Sequence, residues 1–168
     1  MPPTEDQRPA VERVRPPKAM IKIANPIMRR ILGSPLHGLV DEHLLLLHYR
    51  GRRTGRAYTV VAGQRVIGGQ LGVLTNSGWR LNFRGGAPVG VTLKGELRRG
   101  RADLVENPEG VARIYANLIE EYGYEQAGRR LGIRINVDRP PTHEELLELV
   151  RRSGLSLVAI EVDGNPAR

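Results

Sequence analysis

"LLLLHYRGRRTGRAYTVV", residues 44–61, sets a short apolar run beside an alternating one, with four arginines, two glycines and Thr54 between them. Residues 44–49 have strand length and are bounded by the glycine-containing bend; residues 57–67 alternate and read as a second strand. The two pair as a hairpin. Beyond them, Gly68 and Gly69 supply a tight turn that needs positive φ, residues 71–75 read as the next strand, and residues 89–93 and 97–105 continue the pattern after the break at Gly85 and Gly86. A sixth strand is expected at residues 155–162.

Between these strands the signals are helical. Asn107-Pro108-Glu109 has the cap, first-turn proline and first-turn carboxylate of a helix start, followed by apolar residues three and four apart and a stop at Gly123. Thr142 and Glu145 form a capping box that opens another helix running through Arg152 and ended by Gly154. Mostly consecutive antiparallel strands with flanking helices predict an α+β barrel rather than a doubly wound fold. At the other end of the chain, five prolines among the first 17 residues predict a disordered lead, leaving residues 18–168 as one domain. Residues 18–32 have the spacing of a basic amphipathic helix, interrupted at Asn25-Pro26. Such a helix either lies on its own domain or makes peripheral membrane contact.

The chain of 168 residues has no cysteine, which excludes disulfides and thiolate metal sites. No stretch has the length of a signal or membrane-spanning segment, and the expected localisation is cytoplasmic. The net charge of +8 is unevenly placed. Residues 43–95 contain no Asp or Glu but eight basic residues, Arg50, Arg52, Arg53, Arg56, Arg65, Arg80, Arg84 and Lys94; the other 18 basic residues balance all 18 acids. The whole excess therefore lies in one segment.

The arginine bend lacks the spacing of a Walker loop. Its glycine amides, the Thr54 hydroxyl and the guanidiniums of Arg52, Arg53 and Arg56 are all donors, suited to phosphate or carboxylate oxygens; the alternative is a solvated turn. A second constellation is "TNSGWRLNF", residues 75–83, which holds the chain's only tryptophan and only phenylalanine beside amide and hydroxyl groups. It suits a planar ligand, or Trp79 and Phe83 are core. The four histidines show no metal-ligand spacing, and neither a nucleophile elbow nor paired catalytic carboxylates stand out. Tyr122 and Tyr124, at a helix end, are the candidates for substrate or proton contact. Few aromatics and arginines confined to a bend argue against nucleic acid.

The strand–bend–strand and the "SGWRLNF" segment together resemble the deazaflavin-dependent nitroreductase family, whose pattern is an apolar strand, Gly-Arg-Lys-Ser/Thr-Gly with a basic residue, a second strand, and later Trp-x-x-Asn-Leu. The resemblance covers residues 25–131. It implies a split β-barrel, usually dimeric, that binds coenzyme F420, whose lactyl phosphate and oligoglutamate tail are anionic, and passes a hydride to a small enone, quinone or nitro compound. By position, Arg52, Arg53, Thr54 and Arg56 would hold phosphate and tail, and Tyr58, Thr59, Val60 and Val61 would line the adjoining strand. Thr75, Asn76, Ser77 and Gly78 match the turn beside the coenzyme, and Trp79, Asn82 and Phe83 match its Trp, Asn and Leu. The chain departs from the pattern in three places: Gly78 adjoins Trp79 with no residues between, Asn76 replaces a serine, and residues 133–154 insert a capped helix. An FMN- or haem-binding relative, or a carrier of F420 without turnover, remains the alternative.

Overall fold

The computed structural model describes residues 8–15, 26, 30 and 43–164. The expected helix at residues 18–32 lies, but for residues 26 and 30, outside them. In chain order the elements are β1 (Val11–Arg13), β2 (Leu44–Arg50), β3 (Ala57–Gly63), β4 (Arg65–Ile67), β5 (Gln70–Thr75), a 3₁₀ helix (Gly78–Phe83), β6 (Ala87–Leu93), β7 (Glu96–Val105), α1 (Pro108–Tyr122), α2 (Tyr124–Leu131), β8 (Ile133–Ile135), α3 (His143–Ser153) and β9 (Ser156–Val162). They fall into two compact units. One, the sheet unit, comprises residues 43–105 and 157–164; the other, the helical unit, comprises residues 8–15 and 106–156.

The sheet unit is a seven-stranded sheet in the order β3-β2-β6-β7-β9-β5-β4. The expected second strand, residues 57–67, is in fact two strands. β3 follows β2 in register from Arg50↔Ala57 to Leu44↔Gly63, and then the Gln64 N–H donates to the His43 carbonyl (2.8 Å). One residue later β4 pairs with β5 at the opposite edge of the sheet. Laid flat, seven strands would hold those edges roughly 29 Å apart, six spacings of about 4.8 Å, whereas Gly63 and Arg65 are separated by at most roughly 7 Å of chain. The sheet must therefore roll up. Its ends meet at Gln64 without a ladder between β3 and β4, which gives the α+β split barrel expected from the sequence, with seven strands rather than six because the second is cut in two. Alternate residues fill the interior: Leu45, Leu47 and Tyr49 from β2, Val89 and Val91 from β6, Ala102 from β7, and Val158 and Ile160 from β9.

In the helical unit, β1 and β8 form a two-stranded sheet with Val11↔Ile135, extended by Val14 N–H to the Gly132 carbonyl (2.9 Å) and Asn136 N–H to the Ala10 carbonyl (2.8 Å). Residues 10–14 are thus not the disordered lead that their composition suggested. Val11 is buried, and its ladder satisfies the backbone that a lead would leave to water. Asn107 caps α1 by accepting the Gly110 N–H (3.1 Å), and Val111, Ala112, Tyr115, Leu118 and Ile119 form its buried face. The capping box of α3 is complete. The Thr142 hydroxyl accepts the Glu145 N–H (3.2 Å), the Glu145 carboxylate accepts the Thr142 N–H (2.8 Å), and Gly154 closes the helix in the left-handed conformation. Arg139 forks onto the same carboxylate at 2.8 and 2.7 Å and, with the cap, holds Glu145 down at a pKa of about 2. Among the described residues no helix is long and apolar enough to cross a membrane.

Candidate anion-binding site on the sheet unit

The bend between β2 and β3 is a closed six-residue turn. The Gly51 N–H donates to the Arg56 carbonyl (2.8 Å), the Gly55 N–H to the Gly51 carbonyl (2.7 Å), and the Arg56 N–H to the Thr54 hydroxyl (3.3 Å). Gly55 has φ +66°, and a Cβ on Gly51 would stand 2.7 Å from the Thr54 hydroxyl and 2.8 Å from the Tyr58 ring. A side chain at residue 51 would displace both neighbours, which is why the turn requires glycine there. With these bonds made, the backbone N–H groups of Arg53 and Thr54 have no partner among the described residues, nor do the guanidiniums of Arg52, Arg53 and Arg56, all exposed. The turn is a fixed frame that presents three guanidiniums and two backbone N–H groups.

The 3₁₀ helix that follows β5 is bound to this turn through one side chain. Asn82 Oδ1 accepts the Arg52 N–H (2.8 Å), and Asn82 Nδ2 donates to the Trp79 carbonyl (2.8 Å). Both ends of the amide are used inside the chain, so Asn82, expected as a coenzyme contact, is a strut that holds the arginine turn to the tryptophan segment. Behind the strut lies an aromatic stack. Tyr58 stacks on Tyr49 at 5.5 Å between centroids, and Tyr49 meets Phe83 (5.3 Å) and Trp79 (6.4 Å), with Trp79 edge-on to Phe83 (6.0 Å). Phe83 is 0% exposed, which makes it the floor of the stack and corrects its expected place against a ligand. Trp79 is half-buried and packs on the core, whereas Tyr58, two residues after Arg56, is 41% exposed.

The remaining expected residues divide in the same way. Val60 packs on the core, and Val61 is half-buried. The Thr59 hydroxyl bonds His48 Nδ1 (2.9 Å), and His48 Nε2 bonds the Thr92 hydroxyl (2.7 Å), so that one imidazole spans β3, β2 and β6; burial pulls its pKa below the ordinary histidine value. The hydroxyl of buried Thr75 accepts the Ser77 N–H (3.0 Å), and Arg80 Nη1 donates to the carbonyls of half-buried Asn76 and exposed Ser77 (both 3.0 Å); Gly78, also exposed, follows. Tyr122 and Tyr124 belong to the helical unit, at the end of α1 and the start of α2.

Two contributors were not read from the sequence. One is the His48 staple. The other is Arg101, whose Nη2 donates to the Gly85 carbonyl (3.0 Å) while Nε pairs with Asp103 (3.4 Å), laying the guanidinium so close over Gly86 that any Cβ there would collide with it. That clamp, with the Gly86 N–H on the Phe83 carbonyl (3.0 Å), fixes the exit of the 3₁₀ helix. The two adjacent glycines were a visible signal, but the side chain over them came from a distant strand.

No family model matches the chain, and no curated protein matches it. Solved structures do. One, described as a domain-swapped dimer, is 16% identical, covering 87% of this chain and 100% of its own, with a TM-score of 0.43. The conserved hypothetical protein Rv2991 of Mycobacterium tuberculosis is 18% identical over 94% of this chain and 85% of its own, at 0.42. The protein Atu2129, of unknown function, from Agrobacterium tumefaciens str. C58 is 17% identical over 91% of this chain and 59% of its own, at 0.41.

Proposed function

We propose that the sheet unit binds coenzyme F420 and that the protein is an F420-dependent oxidoreductase acting on a small enone, quinone or nitro compound. The observation that carries this reading is the Asn82 strut, which joins the arginine turn to the segment of the lone indole in one braced element. The donor set fits an anionic handle: three guanidiniums and two backbone N–H groups, with no acid in residues 43–95 to compete for them. When bound, the reduced coenzyme supplies a hydride from its C5. Arg52, Arg53 and Arg56 grip phosphate and glutamate oxygens, Tyr58 and Trp79 offer apolar ring surface, and Asn76, Ser77 and Gly78 border the turn beside them. The chain's part is to bind and orient. A homodimer and a cytoplasmic place of action belong to the same reading.

The test is titration of the purified protein with F420, FMN and a short oligonucleotide, read by Trp79 fluorescence. F420 binds most tightly on this account; equal binding of FMN or of the oligonucleotide counts against it. A second reading, a carrier that holds F420 without turnover, is favoured by the direct junction of Gly78 and Trp79, which shortens the segment over the coenzyme. Oxidation of bound reduced F420 by a naphthoquinone and a nitroarene separates the two.

A further inference from the structure

The end of α1 departs from the electrostatics of the other helices. Carbonyl groups leave a partial negative charge at a helix C-terminus, which basic side chains in the last turn offset. α2 ends with Arg129 and Arg130, and α3 with Arg151 and Arg152, but the last turn of α1 holds no basic residue and carries Glu120 and Glu121. Arg130 reaches this end from α2, yet lies over the Tyr122 ring, 4.8 Å from its centroid. Tyr122 and Glu120 are about 200° apart around the helix, so that cation lies on the far side from Glu120. Neither glutamate has an ion pair among the described residues.

Glu120 stands at a cavity of about 440 Å³ within the helical unit. Its floor is the buried pair Ile119 and Leu146, its walls include Pro140, Pro141 and Tyr124, and among the described residues Glu120 is the only charged group in its lining. The size falls in the roughly 300–1,000 Å³ range of small-molecule sites, which are mainly apolar with a few polar groups. We propose that this cavity binds a small organic cation, an aryl- or alkylammonium whose apolar body fills the Ile119, Leu146 and proline surface. Its charged head is met by the Glu120 carboxylate and the Tyr124 ring, both of which favour a cation and neither an anion. This chemistry is the reverse of that at the arginine turn, and the inference does not rest on the F420 reading.

The test is calorimetric titration of the full chain with phenyltrimethylammonium and its neutral isostere tert-butylbenzene, with backbone amide shifts recorded in parallel. The expected result is saturable binding of the cation at least about fivefold tighter than the neutral compound, with shifts confined to residues 116–124 and 140–146. Glu120→Gln, at an exposed position, weakens the cation severalfold toward the affinity of the isostere, the remaining preference being that of the Tyr124 ring, and leaves the isostere unchanged. Ala116→Leu, which adds bulk to the cavity lining, weakens both. Absence of saturable binding, equal affinity for the two compounds, indifference of the cation to Glu120→Gln, or shifts scattered over other acidic surface overturns the proposal.

Discussion

Across residues 43–105 and 157–164 the chain carries eleven arginines and lysines against four carboxylates; across residues 8–15 and 106–156 it carries ten of each. The difference lies in how the charges are used. In the helical unit Arg134 pairs with Glu12 across the two-stranded sheet, Arg139 with Glu145 at the α3 cap and His143 with Glu109 between α3 and α1, while Arg152 with Glu148 is an i,i+4 pair within α3. In the sheet unit Arg98 pairs with Glu96 and Arg101 with Asp103, both on β7, and among the described residues no carboxylate pairs with the guanidiniums of the turn at residues 51–56. Locally balanced charge serves the structure. Charge left unbalanced on a turn braced by Asn82, two internal backbone bonds and the Thr54 hydroxyl serves a ligand, because no carboxylate among the described residues competes for it.

The largest effect expected is on the brace. Phe83→Ala removes the fully buried floor beneath Tyr49 and Trp79 and should cost about 3–5 kcal/mol, read as a loss of urea resistance by Trp79 fluorescence. A loss under about 1 kcal/mol would mean that the stack does not hold the site. Next comes the turn. Replacing Arg52, Arg53 and Arg56 together by Gln should weaken F420 at least about a hundredfold while leaving stability unchanged or slightly higher, since like charges are being removed. Unfolding of that variant would erase the distinction between the two units' charges.

The helical unit should respond oppositely. Thr142→Ala, which removes the α3 cap, should lower stability by about 1 kcal/mol with F420 affinity unchanged. The acid responses sharpen the contrast further. Glu145, held at about 2 chiefly by Arg139, contributes its full stability above about pH 4.5, where the unfolded carboxylate is ionised, and loses it as pH falls toward 2. His48 resists protonation in the fold because it is buried. The sheet unit should therefore weaken already as pH falls below 6.5, where the unfolded chain takes up the proton and the native one does not. Urea titrations by Trp79 fluorescence for one unit and helical ellipticity for the other, at pH 7, 5.5 and 3.5, would show whether the order holds.

The caps, turns and apolar alternation were legible because each is a local arrangement. Asn107, Thr142 with Glu145, and Gly154 sit where their spacing placed them, and the barrel strands after Gly69 differ from expectation by only a few residues at their ends, whereas β8 was not expected at all. What could not be read was non-local. Nothing in the alternation of residues 57–67 marks Gln64 as the point where the chain crosses from one edge of a rolled sheet to the other. β1 pairs with a segment more than a hundred residues away, and its Val-Glu-Arg is too short to announce a strand. α2 was hidden in plain view, since Gly123 and Gly132 bracket Tyr124, Ala127 and Leu131 at helical spacing. At the site, the residue types of both motifs were visible, but not that Asn82 and Thr59 turn inward to bond the chain and Phe83 lies beneath the rings.

The most direct test of the central claim, that uncompensated guanidiniums at residues 52–56 hold the acidic handle of a redox coenzyme, is a double cycle. Affinities of full-length and tail-truncated F420 would be measured calorimetrically for the native chain and for the Arg52, Arg53 and Arg56 triple Gln variant. The account predicts that truncation weakens binding to the native chain by at least about tenfold and hardly at all to the variant. Equal loss in both proteins, or no loss in either, would place the handle elsewhere and contradict it.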